Sequence, residues 1–286
     1  MQTIINLPSF IFFDKNLKNL NKIEKLLLLI KGIYFILVFK YTKNSLFCFL
    51  CNLIYRKNGK ISFVDNMYTK QLENNKIYYP NKRIVRVMVD HNKQFDKLFK
   101  TYALDKISFD NNDLVLDCGA NVGELFFSFK YNNLDIQYMG FEPDKDVFKC
   151  LEKNINNGYL VNKALGKENT TKKLFIDSEG ANTSLVNFGT SSEYEVDTIT
   201  LDSLKLDNVK LLKMDAEGYE PEVLLGAKNT LNKIKFISVD YGNERGVEEK
   251  STIVEVTNFL YNHGFKLVAD SRERKIGLFE NKVINV

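Results

Sequence analysis

The chain is poor in the side chains that most often build metal centres and proton relays: 286 residues hold two histidines, His91 and His263, and four cysteines, Cys48, Cys51, Cys118 and Cys150. So few cysteines give a chain of this size no disulfide framework, and a reducing compartment is the simpler setting. Cys48-Phe-Leu-Cys51 has metal or redox spacing but no second pair, and it lies among Leu46, Phe47, Phe49 and Leu50, so apolar packing is its expected role. His263 precedes Gly264 at an expected helix end, where a histidine serves the C-cap. No basic segment followed by an apolar core and a small-residue cleavage site opens the chain, so no secretory signal is expected and cytoplasmic residence is the default.

A long uninterrupted apolar run is also lacking. A spanning helix needs about twenty apolar residues, whereas the apolar stretch from Lys18 to Tyr55 is broken by Lys31, Lys40 and Lys43. Two readings stay open for it. It is an interfacial helix, peripheral at the inner face of an anionic membrane through residues 18–55, or it packs on the rest of the protein or on a second subunit of a homo-oligomer. The charge distribution bears on that choice: residues 1–108 hold 19 Lys and Arg against 7 Asp and Glu, while residues 109–286 hold 21 against 29, giving +12 and −8. A basic leading region suits an anionic partner such as a membrane surface, a glycan or a nucleic acid, and a solvated lysine-rich face is the bland alternative.

The third absence concerns glycine. A dinucleotide fingerprint wants G-x-G-x-x-G, whose open helix N-terminus takes a pyrophosphate. Here Leu114-Val-Leu-Asp-Cys-Gly-Ala-Asn-Val-Gly-Glu124 places Asn121 where the second glycine should stand. The stretch still reads as strand, tight turn and helix start, with Gly119 leaving room for a ligand and Asn121 able to cap the helix that follows. About twenty residues on, Tyr138-Met-Gly-Phe-Glu142-Pro143 delivers a second acidic residue at the spacing where such folds hold a ribose. Together these residues point to an adenosine-containing cofactor without a pyrophosphate.

Strand and helix alternate beyond that point. Asp144–Asn156 reads as a helix and Gly158–Ala164 as a strand. Further strands are expected at Lys172–Asp177, Tyr194–Ile199, Val209–Asp215, Lys235–Asp240, Phe265–Ala269 and Lys275–Phe279, with helices at Pro221–Leu231 and Lys250–His263. Upstream, Arg83–Ile107 reads as helical, and residues 56–82 as a turn-laden connection with short strands near Ile61–Val64 and Ile77–Tyr79. The likeliest irregular loops are Gly180–Leu185 and Phe188–Ser192. Leu211-Leu-Lys213-Met-Asp215-Ala-Glu217-Gly218-Tyr219-Glu220 again ends an apolar strand in carboxylates and a glycine. In a parallel sheet such strand ends face one crevice, which would gather Asp117, Glu142, Asp215, Glu217 and Asp240.

Asp117-x-Gly-Ala-Asn-x-Gly, Glu142-Pro143, Thr200-Leu-Asp, Lys213-x-Asp-x-Glu-Gly and Gly226-Ala-Lys, in this order, resemble the motifs of the FkbM family of methyltransferases over roughly Arg83 to Phe279. The resemblance implies a class I, Rossmann-like α/β domain with a doubly wound, mostly parallel seven-stranded sheet at residues 83–286. It leaves residues 1–82 as a basic, apolar, mainly helical extension. It implies S-adenosyl-L-methionine as cofactor, held by Asp117, Gly119, Asn121, Gly123, Glu142 and Pro143. It further implies O-methylation of a hydroxyl, commonly on a sugar of a surface polysaccharide, lipopolysaccharide or glycolipid, or on a natural-product scaffold. Asp215 and Glu217 are the candidate catalytic bases, with a structural network about Lys213 as the alternative for both. Asp240 stands where many members carry glutamate, and no spacing demands a metal. A nicotinamide oxidoreductase, a cofactor-binding module without activity and a nucleic-acid methyltransferase are the competing classes. The glycine spacing, the intact strand-end carboxylates and the want of an aromatic-basic recognition motif or an Asn-Pro-Pro-Tyr-like string stand against them in turn.

Overall fold

The computed structural model describes residues 19–56, 59–73, 75–177, 182–271 and 274–283. Two compact units emerge, Met1–Gln94 and Phe95–Val286, so the division falls later than the expected boundary after residue 82. The first unit opens with helix α1 (Lys22–Tyr41). Asn21 and Glu24 form a reciprocal capping box at its start, 2.9 and 2.8 Å. α2 (Asn44–Tyr55) follows and packs aromatic edges against it, Phe35 on Tyr55 and Phe39 on Phe47. The Lys82 ammonium takes the carbonyls of Phe39 and Thr42 at the end of α1, where a cation suits the exposed helix carbonyls.

Strands β1 (Ile61–Val64), β2 (Met67–Gln71) and β3 (Lys76–Tyr79) make an antiparallel meander. The middle strand was not expected. Asp65 and Asn66, both at positive φ, turn the chain in two residues, a hairpin that Asx side chains tolerate. The expected helix from Arg83 breaks after α3 (Val85–Met88). Its closing carbonyls, Val87 and Met88, accept hydrogen bonds from the wholly buried Lys70 ammonium of β2, which ties residues 83–88 to the meander and moves the boundary downstream. Cys48 and Cys51 are both buried, and burial pushes their thiols up to about 11 and about 12, as suits packing groups.

α4 (His91–Thr101) leads into the second unit. There β4 (Leu114–Cys118), α5 (Glu124–Tyr131), β5 (Gln137–Phe141), α6 (Lys145–Asn154) and β6 (Tyr159–Val161) alternate. The short β7 (Ala164–Leu165), β8 (Thr170–Phe175) and β9 (Glu193–Ile199) then form a separate three-stranded sheet. The single strand expected at Gly158–Ala164 is therefore two, divided between sheets. β10 (Val209–Met214), α7 (Glu220–Leu225), β11 (Ile234–Asp240), the β12–β13 hairpin (Asn243–Arg245, Lys250–Ser251), α8 (Ile253–Asn262), β14 (Phe265–Ser271) and β15 (Ile276–Asn281) complete the unit.

The main sheet has the order β14-β15-β11-β10-β4-β5-β6. Its strands are parallel except β15, which runs antiparallel to both neighbours. The chain winds outward in both directions from the β4–β10 pair. That reversal is the topological switch point, where a doubly wound sheet opens its binding crevice. Alternating side chains build a core on each face. Val115 and Leu211 pack with Phe129 of α5 and Leu151 of α6, while their neighbours Leu116 and Leu212 pack with Val223 of α7 and Leu260 of α8.

α7 stops at Gly226, short of the expected Leu231, because the chain there presses against another backbone: a Cβ at Gly226 would lie 1.9 Å from the Gly166 carbonyl oxygen. The same joint is held by Asp202, whose carboxylate accepts from the backbone and side chains of Asn229 and Thr230 and whose amide donates to Gly226 at 3.0 Å. Thr200-Leu-Asp and Gly226-Ala-Lys are thus two halves of one structural clasp. Gly226→Ala should lower the unfolding free energy by about 1–3 kcal/mol, read from denaturant midpoints. An unchanged midpoint would mean that the two backbones are free to part.

Candidate functional site

At the switch point β4 and β10 lie in register, Asp117 beside Lys213 and Cys118 beside Met214. Asp117 and Lys213 form an ion pair at 2.9 Å with side chains only 1% and 5% exposed. The second Asp117 oxygen accepts from the Tyr138 hydroxyl at 2.6 Å. Lys213 spends its remaining hydrogens on the carbonyls of Cys118 and Gly119, 3.2 and 2.9 Å. Burial pushes the Asp117 carboxyl up, against the pull of Lys213 and Tyr138. Burial also works to lower Lys213, but the Asp117 and Asp215 carboxylates outweigh it and hold the ammonium above its ordinary value. Asp117 braces the loop through its ion pair with Lys213 and the Tyr138 hydroxyl, and its buried Oδ1 accepts no hydrogen bond beyond that ion pair.

That loop is made of left-handed turns. Gly119, Asn121 and Gly123 have φ of 72°, 50° and 86°. The space beside Gly119 is filled by the neighbouring strand end, since a Cβ there would lie 2.0 Å from the Asp215 carbonyl oxygen. Its small size therefore serves the close approach of two loops. Asn121 does not cap the helix as expected. Gly123 occupies the N-cap position of α5, and the Asn121 side chain accepts from the Val122 amide at 2.9 Å. The amides of Gly119 and Ala120 donate to Phe141, that of Asn121 to Glu142, and that of Gly123 to Ala120. Every amide from Gly119 to Gly123 is thus satisfied inside the protein, which leaves none of them for a pyrophosphate.

Glu142, at the end of β5, is positioned by this arrangement. One carboxylate oxygen accepts from Asn121 and the other from the Asp144 amide, both at 2.9 Å. Each oxygen keeps acceptor capacity, because a carboxylate oxygen takes more than one hydrogen bond. Burial pushes Glu142 up to about 7 despite those two amides. Asn162 fixes the following turn by donating to the carbonyls of Glu142 and Pro143, 2.8 and 3.2 Å.

Of the expected carboxylates, Asp215, Glu217 and Asp240 stand around the end of β10, with company that the sequence did not announce, while Glu142 ends β5, two strands away. Tyr102, buried, donates its hydroxyl to Asp215, and its ring lies under the Lys213 ammonium at 5.3 Å. Glu217 sits at φ 50° and its carbonyl accepts from Ser184 at 2.8 Å, so the expected loop at Gly180–Leu185 reaches this site. Residues 180 and 181 of it lie outside the described residues. Asp215, Glu217 and Glu244 can each offer an oxygen within 4.8 Å of the others, a donor set suited to a hard divalent cation that no sequence spacing indicated.

Asp240 accepts from the Gly242 amide at 3.0 Å. Burial and the Asp215 charge push it up to about 6, and burial with Asp215, Asp240 and Glu220 pushes Glu244 up to about 8. Glu220 points inward to hold the turn, accepting from Ala216 and Gly218, 2.9 and 3.1 Å. Burial works against the Arg274 charge, but Tyr102, Asp215, Asp240 and Glu244 outweigh it and raise the guanidinium. Tyr102, Glu244 and Arg274 carry no sequence signal, because each comes from an element remote in the chain. His263 is the C-cap residue of α8, with Nδ1 2.7 Å from the Phe259 carbonyl, and His91 belongs to a helix of the upstream segment.

A mostly parallel sheet wound outward from β4 and β10, with an acidic residue ending β5 and a glycine loop whose amides are all engaged, has the class I, Rossmann-like methyltransferase architecture. The methyltransferase FkbM domain matches residues 117–267, more than half of the chain, and the chain belongs to this family. Three solved structures are similar in part. A methyltransferase FkbM from Methylobacillus flagellatus is 15% identical with a TM-score of 0.44, covering 68% of this chain and 56% of that one. A putative RNA methyltransferase from Pyrococcus horikoshii is 14% identical at 0.38, covering 70% and 86%. TrmK from M. capricolum, in complex with S-adenosyl-homocysteine, is 11% identical at 0.40, covering 65% and 68%. This chain therefore spans little more than half the length of the FkbM structure. Among the curated proteins, none matches.

The cofactor is S-adenosylmethionine. The residues present fit it: Glu142 keeps acceptor capacity for vicinal hydroxyls, and the crevice lined by Asp215, Glu217, Asp240 and Glu244 suits a cationic sulfonium better than a phosphate. The ion pair beneath the site is the part most exposed to test. Lys213→Met should cost about 3–5 kcal/mol of stability, because it strands a buried carboxylate. Adding Asp117→Asn should restore part of the loss. Equal stability of the single variant and the parent by chemical denaturation would refute the brace.

Proposed function

We propose that the chain is an S-adenosylmethionine-dependent O-methyltransferase acting on a hydroxyl of a sugar in a surface glycan, lipopolysaccharide or glycolipid. The observation that carries this reading is the group of carboxylates at the end of β10, where Asp215 and Glu217 stand beside Glu244 across the loop junction from Glu142. Carboxylates are hydrogen-bond acceptors of the kind that a polyol's hydroxyls seek, and one of them can receive a proton.

Bound S-adenosylmethionine supplies a methyl group activated by the sulfonium. The acceptor oxygen attacks in line, the C–O bond forms as the C–S bond breaks, and the alcohol proton has to leave. Alignment of acceptor against donor can contribute up to roughly 7–11 kcal/mol in favourable systems. Glu142 fixes the adenosine end in this reading. Asp215, held by the Tyr102 hydroxyl, and Glu217, held in its left-handed turn, take the proton or orient the acceptor, a contribution of about a hundredfold to ten-thousandfold.

Asp215→Asn and Glu217→Gln should each lower turnover by about 10²- to 10⁴-fold, with adenosylmethionine affinity changed far less in calorimetry. Equal losses of affinity and turnover would assign both residues to structure instead. A panel of glycan and glycolipid acceptors, with adenosylmethionine labelled at the methyl, tests the substrate class. Transfer to none of them, beside transfer to an RNA or a natural-product scaffold, would overturn the sugar reading.

Glu142 gives the pH dependence. Burial lifts its folded-state pKa from the ordinary 4.5 to about 7, so the fold prefers the neutral carboxyl. Its contribution to stability is complete below about 4.5 and is lost as pH rises through about 7. Ribose hydroxyls prefer the ionised form as acceptor, so cofactor binding should strengthen from about pH 6 to about pH 8 and release a proton near neutrality. Glu142→Gln should bind more weakly and without this pH dependence. Binding by the parent protein that is flat with pH would remove Glu142 from the ribose site.

A further inference from the structure

Helix α1 shows solvent a face that a globular surface rarely exposes. Ile23, Leu26, Leu27 and Ile30 are each more than half exposed, and Leu37 and Tyr41 continue the row at 51% and 71%. At about 100° per residue these side chains fall on one stripe about 100° wide. Lys22 and Lys40 lie along one edge of it and Lys31 along the other, all exposed. Gly32, Phe35 and Val38, on the adjoining arc that begins at the Lys31 edge, are the buried ones. α2 repeats the pattern with Leu46, Phe49 and Leu53 exposed on one side, and Phe47, Cys48 and Cys51 buried on the other.

The stripe belongs to an anchored helix. The Tyr55 hydroxyl donates to the Lys31 carbonyl at 3.0 Å and the Tyr34 hydroxyl to Leu50 at 3.1 Å. Lys82 holds the C-terminal carbonyls of α1 and lies 4.5 Å from the Phe39 ring. Rolling the apolar face inward would break these bonds and expose Phe35 and Val38.

We infer that this face docks on an anionic lipid bilayer, lying in the headgroup plane with the apolar stripe in the acyl boundary and the flanking lysines at the phosphates. Charge decides among the occupants. Residues 19–56 hold six Lys and Arg and a single acid, Glu24, which is committed to the capping box. A second copy laid face to face would set lysine rows against lysine rows, whereas anionic headgroups match them. No helix among the described residues is long and apolar enough to cross a membrane, so the helix docked in this way lies on the bilayer rather than through it, with its remaining arc packed on α2. This inference stands apart from the methyl-transfer reading. If both hold, acceptors carried on lipids are met at the surface where the enzyme sits.

The test uses the full purified chain with phosphatidylcholine vesicles, with and without about one third phosphatidylglycerol. Co-sedimentation is expected with the anionic vesicles and should weaken as salt rises and the Debye length shrinks. Leu26→Asp with Ile30→Asp, both at exposed positions, should cut partitioning at least about tenfold. Lys22→Glu with Lys31→Glu and Lys40→Glu should do the same for anionic vesicles. Unaltered far-ultraviolet circular dichroism would show that the variants fold. Failure of the parent chain to sediment, or equal binding to neutral and anionic vesicles, overturns the inference. So does a concentration-dependent dimer that the Leu26 and Ile30 changes abolish while vesicle binding is absent, because a second copy then covers the stripe. Vesicle binding that appears only after removal of residues 1–18 likewise overturns it, because those residues then cover the stripe in the full chain.

Discussion

The crevice of this protein depends on one buried ion pair. Lys213 and Asp117 face each other across the junction of the two central strands, and taking both charges out of water is costly unless every remaining donor and acceptor is met. Here they are met. Tyr138 covers the second carboxylate oxygen, and two carbonyls of the glycine loop take the other ammonium hydrogens. The pair therefore does more than join β4 to β10. By gripping the Cys118 and Gly119 carbonyls it sets where the glycine loop runs, and through the Asn121 amide that loop sets the orientation of Glu142. A second chain of contacts runs from the same lysine to the Tyr102 ring and on to Asp215. Glu142 and Asp215 are both referenced to a single ammonium.

This arrangement explains why the family strings look catalytic along their whole length while only part of each faces the crevice. In Asp117-x-Gly-Ala-Asn-x-Gly the first carboxylate and Gly119 are consumed in holding one loop to another. In Lys213-x-Asp-x-Glu-Gly the lysine is the brace, whereas Asp215 and Glu217 remain at the strand end. Thr200-Leu-Asp and Gly226-Ala-Lys meet in a clasp remote from the carboxylates. Local residue type fixes what a position is able to do, and the fold decides whether its polar atoms are already engaged.

The doubly wound, mostly parallel seven-stranded sheet and the grouping of Asp215, Glu217 and Asp240 were legible because apolar runs ending in an acid recur at the βα turns. What was not legible came from contacts distant in the chain. Tyr102 and Asp215 are separated by 113 residues, and Glu244 enters from a two-residue-paired hairpin with no motif of its own. The β2 strand was hidden because its polar and aromatic residues, Met67–Gln71, lack a run of aliphatic side chains, and the domain boundary moved because a buried lysine in that strand captures helix carbonyls downstream. The role of Asn121 was misjudged for a related reason. An Asx residue before a helix reads as a cap, but a left-handed turn one step earlier turns its side chain to the adjacent amide.

The saturated glycine loop has a consequence for selectivity. Many cellular molecules share the adenosine moiety, and most of them carry phosphates. A site that recognises adenosine through Glu142 alone would be open to all of them. With every loop amide from Gly119 to Gly123 and all three Lys213 hydrogens already committed, a nucleotide's phosphates would meet carboxylates and no answering donor from these groups, and an uncompensated anion is expensive to desolvate. In the proposed reading, where Glu142 holds the adenosine, discrimination against nucleotides comes from withheld hydrogen-bond donors, with no steric barrier required.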